Sequence, residues 1–445
     1  MEMPRALRNL ISLANSTGSK STGVMTKLSA MIITPNNEQI PLIMPSGLAR
    51  YSMYALNHSD DYRLRAQIQP GVYFNKVLSN KDNLFIEISE RSGLSQTMKR
   101  FRAIPLGDSD PQMAGNSSQL ANLDAKDQLN IIGVTFQLME IGYGILKNEM
   151  VSDRHLMSTL DTVLHYQLTK YGKALNLTGA DAWKGVDIEK PIDNAKIFKM
   201  VVIPSAIPLR KLGPWLQDHE EFGIYSKGLG MYYHKGMWYI FPLFKIGRYE
   251  KAKRVLNIYR LPPDVVPTLH VSYFVEGNVI TILSTGEAKH VDGNDIVRQN
   301  KGTGKRIVSS DAIMGETGSA YGKGQVGISR QDTLSEYQTS KRTSGEEIAP
   351  FNPTPTNNLC KHLTANSFND GTLETIQWNN SNHDLLFPGM PVRFFYMSGD
   401  LLKYKEGSLL GARSEHQKDN ESTDIVFRQH SALSLFLVNK EIDAV

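Results

Sequence analysis

Leu385-Leu386-Phe387-Pro388-Gly389-Met390-Pro391-Val392-Arg393-Phe394-Phe395-Tyr396 decides how the last quarter of the chain is read. Proline fixes φ at one position of a turn and glycine admits positive φ at the next, so the apolar run that follows at once reads as an entering strand. Two further runs, Gly407 to Gln417 and Ile425 to Asn439, are split by Lys418-Asp419-Asn420-Glu421-Ser422-Thr423-Asp424. The charge and Asn, Ser and Thr content of that divider suit a solvated connection between paired strands. With Thr375-Ile376-Gln377-Trp378 as a further strand, the region reads as a small barrel that carries no chemistry.

Upstream, from Leu28 to Leu138, short runs bounded by turn residues continue the strand pattern. Leu64, Ala66 and Ile68 alternate with Arg63, Arg65 and Gln67, which gives one buried and one wet face. At Ser152 the period changes. Ser152 or Asp153 is the expected cap of a helix whose stripe runs through Leu156, Leu160, Val163, Leu164, Leu168 and Tyr171 to a stop at Gly172. A second helix is expected over Gly213 to Phe222, with Pro214 at its first position and Gly223 as its stop. Ile197 to Ile203 reads as a buried strand between them, and strands resume at Val255 to Arg260 and Val279 to Ser284. From Asp292 to about Thr356 the chain is rich in Gly, Ser, Thr, Asn and charge with no apolar period, the composition of a long loop or arm. Leu7, Leu10, Ile11 and Ala14 place one apolar stripe on a short N-terminal helix, which docks on its own domain or on a partner.

A chain of 445 residues exceeds one ordinary core, so several domains are expected. Hydrophobic residues make up 40% and the mean hydropathy is −0.31, enough apolar content to build real cores. Net charge is +4 from 49 basic and 45 acidic residues, too balanced to imply a nucleic-acid or membrane surface by itself. Cys360 is the sole cysteine, which excludes an intrachain disulfide and a cysteine-rich zinc site. The apolar patch at Leu10-Ile11-Ser12-Leu13-Ala14 is shorter than a secretion signal requires. The run from Met200 to Leu209 holds two prolines and is half of what a bilayer span needs, so no membrane segment is expected.

The C-terminal runs resemble the C-terminal barrel of the baseplate hub proteins of contractile-tailed bacteriophages. In that family a Pro-Gly entry strand is followed by a charged strand ending near a Glu-His pair, here Glu415-His416, and by an aliphatic strand like Ser434 to Asn439. A second stretch is similar too. Trp215 to Tyr225, then Met231 to Ile240, looks like the family's short helix, its Phe/Tyr-Gly stop and its aromatic strand pair. The resemblance implies two similar barrels in each subunit, the second one discontinuous, and a trimeric ring that adapts a three-fold spike to a six-fold tube.

Motifs for chemistry fail one by one. Gly302-Thr303-Gly304-Lys305 and Gly322-Lys323-Gly324 lack the earlier glycine and the following Ser or Thr of a phosphate loop. The eleven histidines show no His-Glu-x-x-His. His219 beside Glu220-Glu221 reads as a solvated helix end, and Cys360 near His362 as an inert thiol. Glu140 is the acid in the most apolar company, but no second carboxylate can be paired with it as a glycosidase would need. The aromatic cluster Tyr225, Tyr232, Tyr233, Trp238, Tyr239 and Phe241 is explained by cross-strand packing.

The expected fold class is thus β-rich α+β: two small tail-tube-like β-barrel domains plus a mixed α/β middle domain. The expected layout is a helix and flexible segment over 1–24, a first barrel-like domain over 25–150, a mixed middle over 151–254, a second barrel-like domain from 255–291 and 357–445, and the arm over 292–356. No catalytic, cofactor or metal residue is singled out. The resemblance implies a non-enzymatic virion protein of the tail baseplate, assembled in the host cytoplasm and forming part of the DNA ejection channel. The partners it implies are two further copies in a homotrimer, tail spike, tail tube or tube-initiator proteins, baseplate wedge proteins and tape-measure protein, without specific nucleic-acid binding. Another tail component, such as a tube or adaptor protein, and a cell-wall-degrading tail enzyme are the alternatives.

Overall fold

The computed structural model describes residues 26–42, 44–92, 95–106, 132–192, 194, 196–219, 222–260, 272–284, 289–292, 306–308, 321–322, 325–326, 348–350, 360, 371–399, 401–418 and 425–444. The expected N-terminal helix, His362 and most of the expected arm lie outside these residues.

Strands β1 (Thr26–Ile33), β2 (Gln39–Pro41), β3 (Met44–Ser52), β4 (Asp61–Ile68), β5 (Leu84–Ser92), β6 (Ser95–Pro105) and β7 (Ile132–Glu140) form the first group. They pair antiparallel in the order β3–β4–β7–β6–β5–β1, with β2 against β1. The period-two pattern of β4 holds as read: Leu64, Ala66 and Ile68 are buried, and Arg63, Arg65 and Gln67 are not. Their inward side chains join Ile32, Ile86, Phe101, Val134 and Phe136 in one core.

The middle of the chain supplies α1 (Ile141–Leu146), β8 (Met150–Ser158), α2 (Leu160–Lys173), β9 (Gly185–Ile188), β10 (Phe198–Pro208), α3 (Leu209–Asp218), β11 (Leu229–His234) and β12 (Met237–Pro242). Both helix starts differ from expectation. Residues 150–158 alternate buried Val151 with exposed Ser152, Arg154 and Leu156, the period of a strand, so the helix opens only after Thr159. Its buried stripe is Leu160, Val163, Leu164 and Leu168. The second helix starts at Leu209, whose N–H donates to Glu149 O at 2.7 Å, and carries Pro214 inside it. Strand β10 is half-buried: Val201 and Ile203 face the core while Met200 and Val202 are exposed. Strands β11 and β12 form the expected aromatic hairpin. Its turn residues, Lys235 and Gly236, both take positive φ, 51° and 81°, as a two-residue hairpin turn demands.

The last group is β13 (Val255–Arg260), β14 (Tyr273–Glu276), β15 (Val279–Ser284), β16 (Lys289–Asp292), four short pieces β17 (Arg306–Val308), β18 (Tyr321–Gly322), β19 (Gln325–Val326) and β20 (Ile348–Pro350), then β21 (Gly371–Trp378), β22 (Pro391–Ser398), β23 (Leu401–Lys418), β24 (Phe427–Val438) and β25 (Ile442–Asp443). Pairing runs β15–β13–β22–β23–β24–β21, parallel at β13–β15 and β13–β22 and otherwise antiparallel. Ser284 Oγ donates to Gln377 O at 2.9 Å, so β15 also reaches β21. Trp378, Leu433, Leu435 and Phe436 are fully buried in this core. Gly389, at φ 72°, makes the turn read from Pro388-Gly389, and Arg248 ties it down by donating to the carbonyls of Gly389 at 2.6 Å and Pro242 at 2.9 Å.

Strands β23 and β24 belong to both groups. Beyond a register shift between Leu409 and Gly411, β23 turns its edge from β22 to β3, pairing Ala412 with Ser52 through Glu415 with Ala49. At Thr26, β1 meets Phe427 of β24. The first group therefore closes into a circuit through the same two strands that run through the second.

Candidate functional site at the junction of three cores

Where the three groups meet, the sequence places polar residues on inward faces. In β3 the buried row continues from Leu48 to Arg50 and Ser52, so a guanidinium and a hydroxyl enter the interior at strand spacing. The loop after β3 returns through Ser59, which bridges to Tyr233, while Tyr233 N donates to His58 O at 2.7 Å. That contact sets Asp60 beside β11. Tyr233 packs into the middle core, so its neighbours Tyr232 and His234 face the other way, toward Asp60.

Asp60 is completely desolvated and its carboxylate is fully engaged. Oδ1 accepts from Ser52 Oγ at 2.5 Å and from Tyr232 OH at 2.8 Å; Oδ2 accepts from Arg50 Nη2 at 2.9 Å and faces His234 Nδ1 at 3.1 Å. Burial pushes the carboxyl upward, but Arg50 and His234 outweigh it and hold Asp60 well below the usual carboxylate range. Arg50 continues to Asp384, whose Oδ1 accepts from Nη1 at 2.8 Å. Asp384 Oδ2 accepts from Lys99 Nζ of β6 at 2.8 Å, and Lys235 Nζ donates to the Asp384 carbonyl at 2.9 Å. One arginine and two aspartates thus join β3, β6, β11 and the turn before β22. A polar cavity of about 200 Å³, lined by Arg50, Tyr62, Lys99, Asp384, His416 and Gln429 among others, opens beside them.

Ser52, His383 and Asp60 invite comparison with a hydrolytic triad. His383 is fully buried, with Nε2 at 2.8 Å from Ser52 Oγ and Nδ1 at 2.9 Å from Ser414 Oγ. Burial and then Arg50 keep its imidazole well below its ordinary pKa, so it is neutral and holds one N–H. Ser52 gives its proton to Asp60, which leaves Nε2–H to donate to Ser52 and Ser414 to donate to Nδ1. A nucleophilic serine gives its proton to histidine, and the carboxylate orients that histidine. Here the direction runs the other way, and Ser52 has no exposure to a substrate. The arrangement holds strands together.

Glu140, singled out in the sequence, ends β7 next to this network. Its Oε1 accepts from Lys235 N at 2.9 Å and its Oε2 from Gly236 N at 3.4 Å, so it caps the hairpin turn of β11 and β12. Burial, and then the neighbouring Asp60, push Glu140 up to about 7. Asp60, Glu140 and His234 bring their ligand atoms within 4.8 Å of one another, a spacing suited to a metal ion. Arg50 already occupies Asp60 Oδ2, however, and the nitrogen of His234 that lacks a hydrogen-bond partner is Nε2, not the Nδ1 turned to the carboxylates. Arg50 supplies the counter-charge to Asp60.

Of this network the sequence singles out Glu140 and, within the aromatic cluster, Tyr232, while His234 falls in the quoted aromatic stretch. Arg50, Asp60, His234 and His383 come from four separate segments. The available signal was Arg50 in phase with Leu48 and Ser52 on one strand. Cys360 is buried, and its Sγ accepts from Asn194 Nδ2 at 3.5 Å. Of the aromatic cluster, Tyr225, Tyr233 and Trp238 pack in the middle core and Tyr232 and Phe241 in the last. None of the helices among the described residues is long and apolar enough to cross a membrane.

No family model and no curated protein matches the chain. Solved structures similar to it include the 43 kDa tail protein of prophage MuSo2 from Shewanella oneidensis, with 9% identity, a TM-score of 0.46, and coverage of 93% of this chain and 96% of that one. A tail protein from Neisseria meningitidis MC58 also has 9% identity and a TM-score of 0.46, with 92% and 96% covered. An E. coli component of the type VI secretion system, described as structurally similar to T4 bacteriophage tail proteins, has 8% identity and a TM-score of 0.37, with 94% and 77% covered.

Proposed function

We propose that this chain is a structural subunit of a phage tail, the central hub of a contractile-tail baseplate, whose work is to hold neighbours in register rather than to turn over a substrate. The observation that carries the reading is the pair β23 and β24, common to two strand groups and locked to the middle core through Arg50, Asp60 and Asp384. An adaptor between rings must transmit contacts made on one part to another without yielding, and shared strands with a buried ion pair between Arg50 and Asp60 supply that stiffness. The two similar barrels that the sequence resemblance implies would take 25–150 and the discontinuous 255–291 and 357–445 as their bodies, with β23 and β24 lending their edges to the first. Three subunits would close through heterologous contacts around a lumen, giving six near-equivalent elements opposite a six-fold tube. Spike, tube or tube-initiator, wedge and tape-measure proteins are the proposed neighbours, in a virion baseplate assembled in the host cytoplasm.

Light scattering on the purified chain, together with copy number in tail particles, tests this. A trimer in solution and three copies per particle are expected. Six or twelve copies would assign the chain to a tube or another adaptor. Hydrolysis of peptidoglycan by the pure chain, abolished by changing one carboxylate, would replace the structural reading with an enzymatic one.

A further inference from the structure

The circuit β3–β4–β7–β6–β5–β1–β24–β23 is closed by β23 against β3 and by β24 against β1. A closed sheet of about eight strands has an interior that side chains just fill, or that holds one small ligand. Here the apolar filling stops short of one end. Inward rows turn polar at their last step: Ile86 and Ile88 give way to Glu90, Ala103 and Phe101 to Lys99, and Leu48 to Arg50. The cavity of about 200 Å³ lies among these polar ends and reaches the surface beside Thr97, which is exposed.

Several groups on its wall have hydrogen-bonding capacity that the protein leaves unused. Tyr62 is only 6% exposed, yet its hydroxyl has no partner among the described residues. The Glu90 carboxylate, also turned inward, is paired with no cation among them. His416 Nδ1 donates to Leu48 O at 3.2 Å, which leaves a lone pair on Nε2, and burial keeps the imidazole neutral by lowering its pKa. Lys99 gives one of its three donors to Asp384 Oδ2. Unused acceptors and unused donors therefore share one cavity, and they reach it from β4, β5, β6 and β23. The charges on the wall balance, Arg50 and Lys99 against Glu90 and Asp384. An apolar ligand would leave these groups unpaired. An alkylammonium is polar at one end only and brings a charge that the wall does not call for. A polyhydroxylated ring is uncharged, and around its whole edge it carries groups that both donate and accept. Size agrees, since about 150 Å³ holds benzene and about 200 Å³ takes one substituted ring.

We propose that the polar cavity at the end of the first strand circuit binds a single sugar ring, free or at the end of a glycan, through Tyr62, Glu90, Lys99 and His416. The claim does not rest on the tail reading, since the cavity is built within one chain.

The test is calorimetric titration of the full chain with D-glucose, D-galactose, D-mannose and N-acetyl-D-glucosamine. At least one should bind with a dissociation constant of about a millimolar or below. Tyr62→Phe removes only the unpartnered hydroxyl, so it should weaken that binding by about tenfold with an unchanged melting temperature. Glu90→Gln should weaken it by about tenfold as well, and Thr97→Trp should block entry. A trisaccharide of the same sugar that binds equally well marks a glycan end, one that fails to bind marks a free sugar, and either supports the site. No binding of any of the sugars at about 10 mM, or binding that none of the variants alters, would overturn the proposal. So would tighter binding of cyclohexylamine or glycine than of every sugar, which would assign the cavity to a cation or a zwitterion.

Discussion

Asp60 accepts from Arg50, Ser52 and Tyr232 and faces His234 in a fully buried position, so its charge is tolerated only while those groups stay in place. Asp60→Asn leaves Arg50 a buried cation short of a partner. We expect a loss of about 3–5 kcal/mol, read from the midpoint of urea unfolding. Glu140 behaves in the opposite sense. Its folded pKa, about 7, lies above its ordinary 4.5, so the folded state keeps a proton that the unfolded chain releases. The stability this proton contributes is complete below 4.5 and is lost as pH rises through about 7. Asp60, held low, contributes above its ordinary 3.8 and loses that contribution as pH falls. His234 and His383, held neutral, also favour the folded state as pH rises, so the informative quantity is a difference between variants. Glu140→Gln should gain stability relative to the parent as pH rises from about 5 to about 8. A constant difference across that range would mean that the carboxyl titrates normally. Glu140 was legible because a lone acid in an apolar run is visible locally. Asp60 was not, since its four partners reach it from other segments and nothing in its own neighbourhood announces them.

At the scale of elements, Gly407 of β23 leaves no room for a side chain against β24. A Cβ there would fall on the carbonyl oxygen of Phe436, whereas a Cβ at Gly47 in β3 meets nothing within 4 Å. Gly407→Ala is expected to destabilise by about 1–3 kcal/mol through forced strand separation. Gly47→Ala should stay within about 0.5 kcal/mol of the parent, and calorimetry of the two compares them directly. Strands were legible where alternation was clean, as in β4, and the Pro388-Gly389 turn was legible because positive φ needs its glycine. The helix starts were not. Leu156 continues the 3.6-residue stripe of α2 by coincidence, and pairing with Met200 claimed it for a strand. Pro214 suits a first helical turn, but Leu209 and Leu212, buried a turn earlier, draw the helix start back.

Across the whole molecule, the first and last strand groups share β23 and β24, so neither is expected to unfold alone. Across that union Ser52 and Arg50 of β3 meet Ser414 of β23 and His383 directly, with Asp60 behind them. Hydrogen exchange on Arg50→Met should therefore show lost protection in β13 and β22 as well as in β3 and β4. Loss confined to β3 and β4 would mean that the groups are independent units. This union was invisible in the sequence, because it joins residues more than three hundred positions apart, such as Ser52 and His383. The offset between Leu409 and Gly411 gives it a genetic meaning. On one side of that step β23 is read against β22, on the other against β3. A residue gained or lost within this stretch would shift the phase of two cores at once, so an insertion scan along β23 should find its deepest intolerance there.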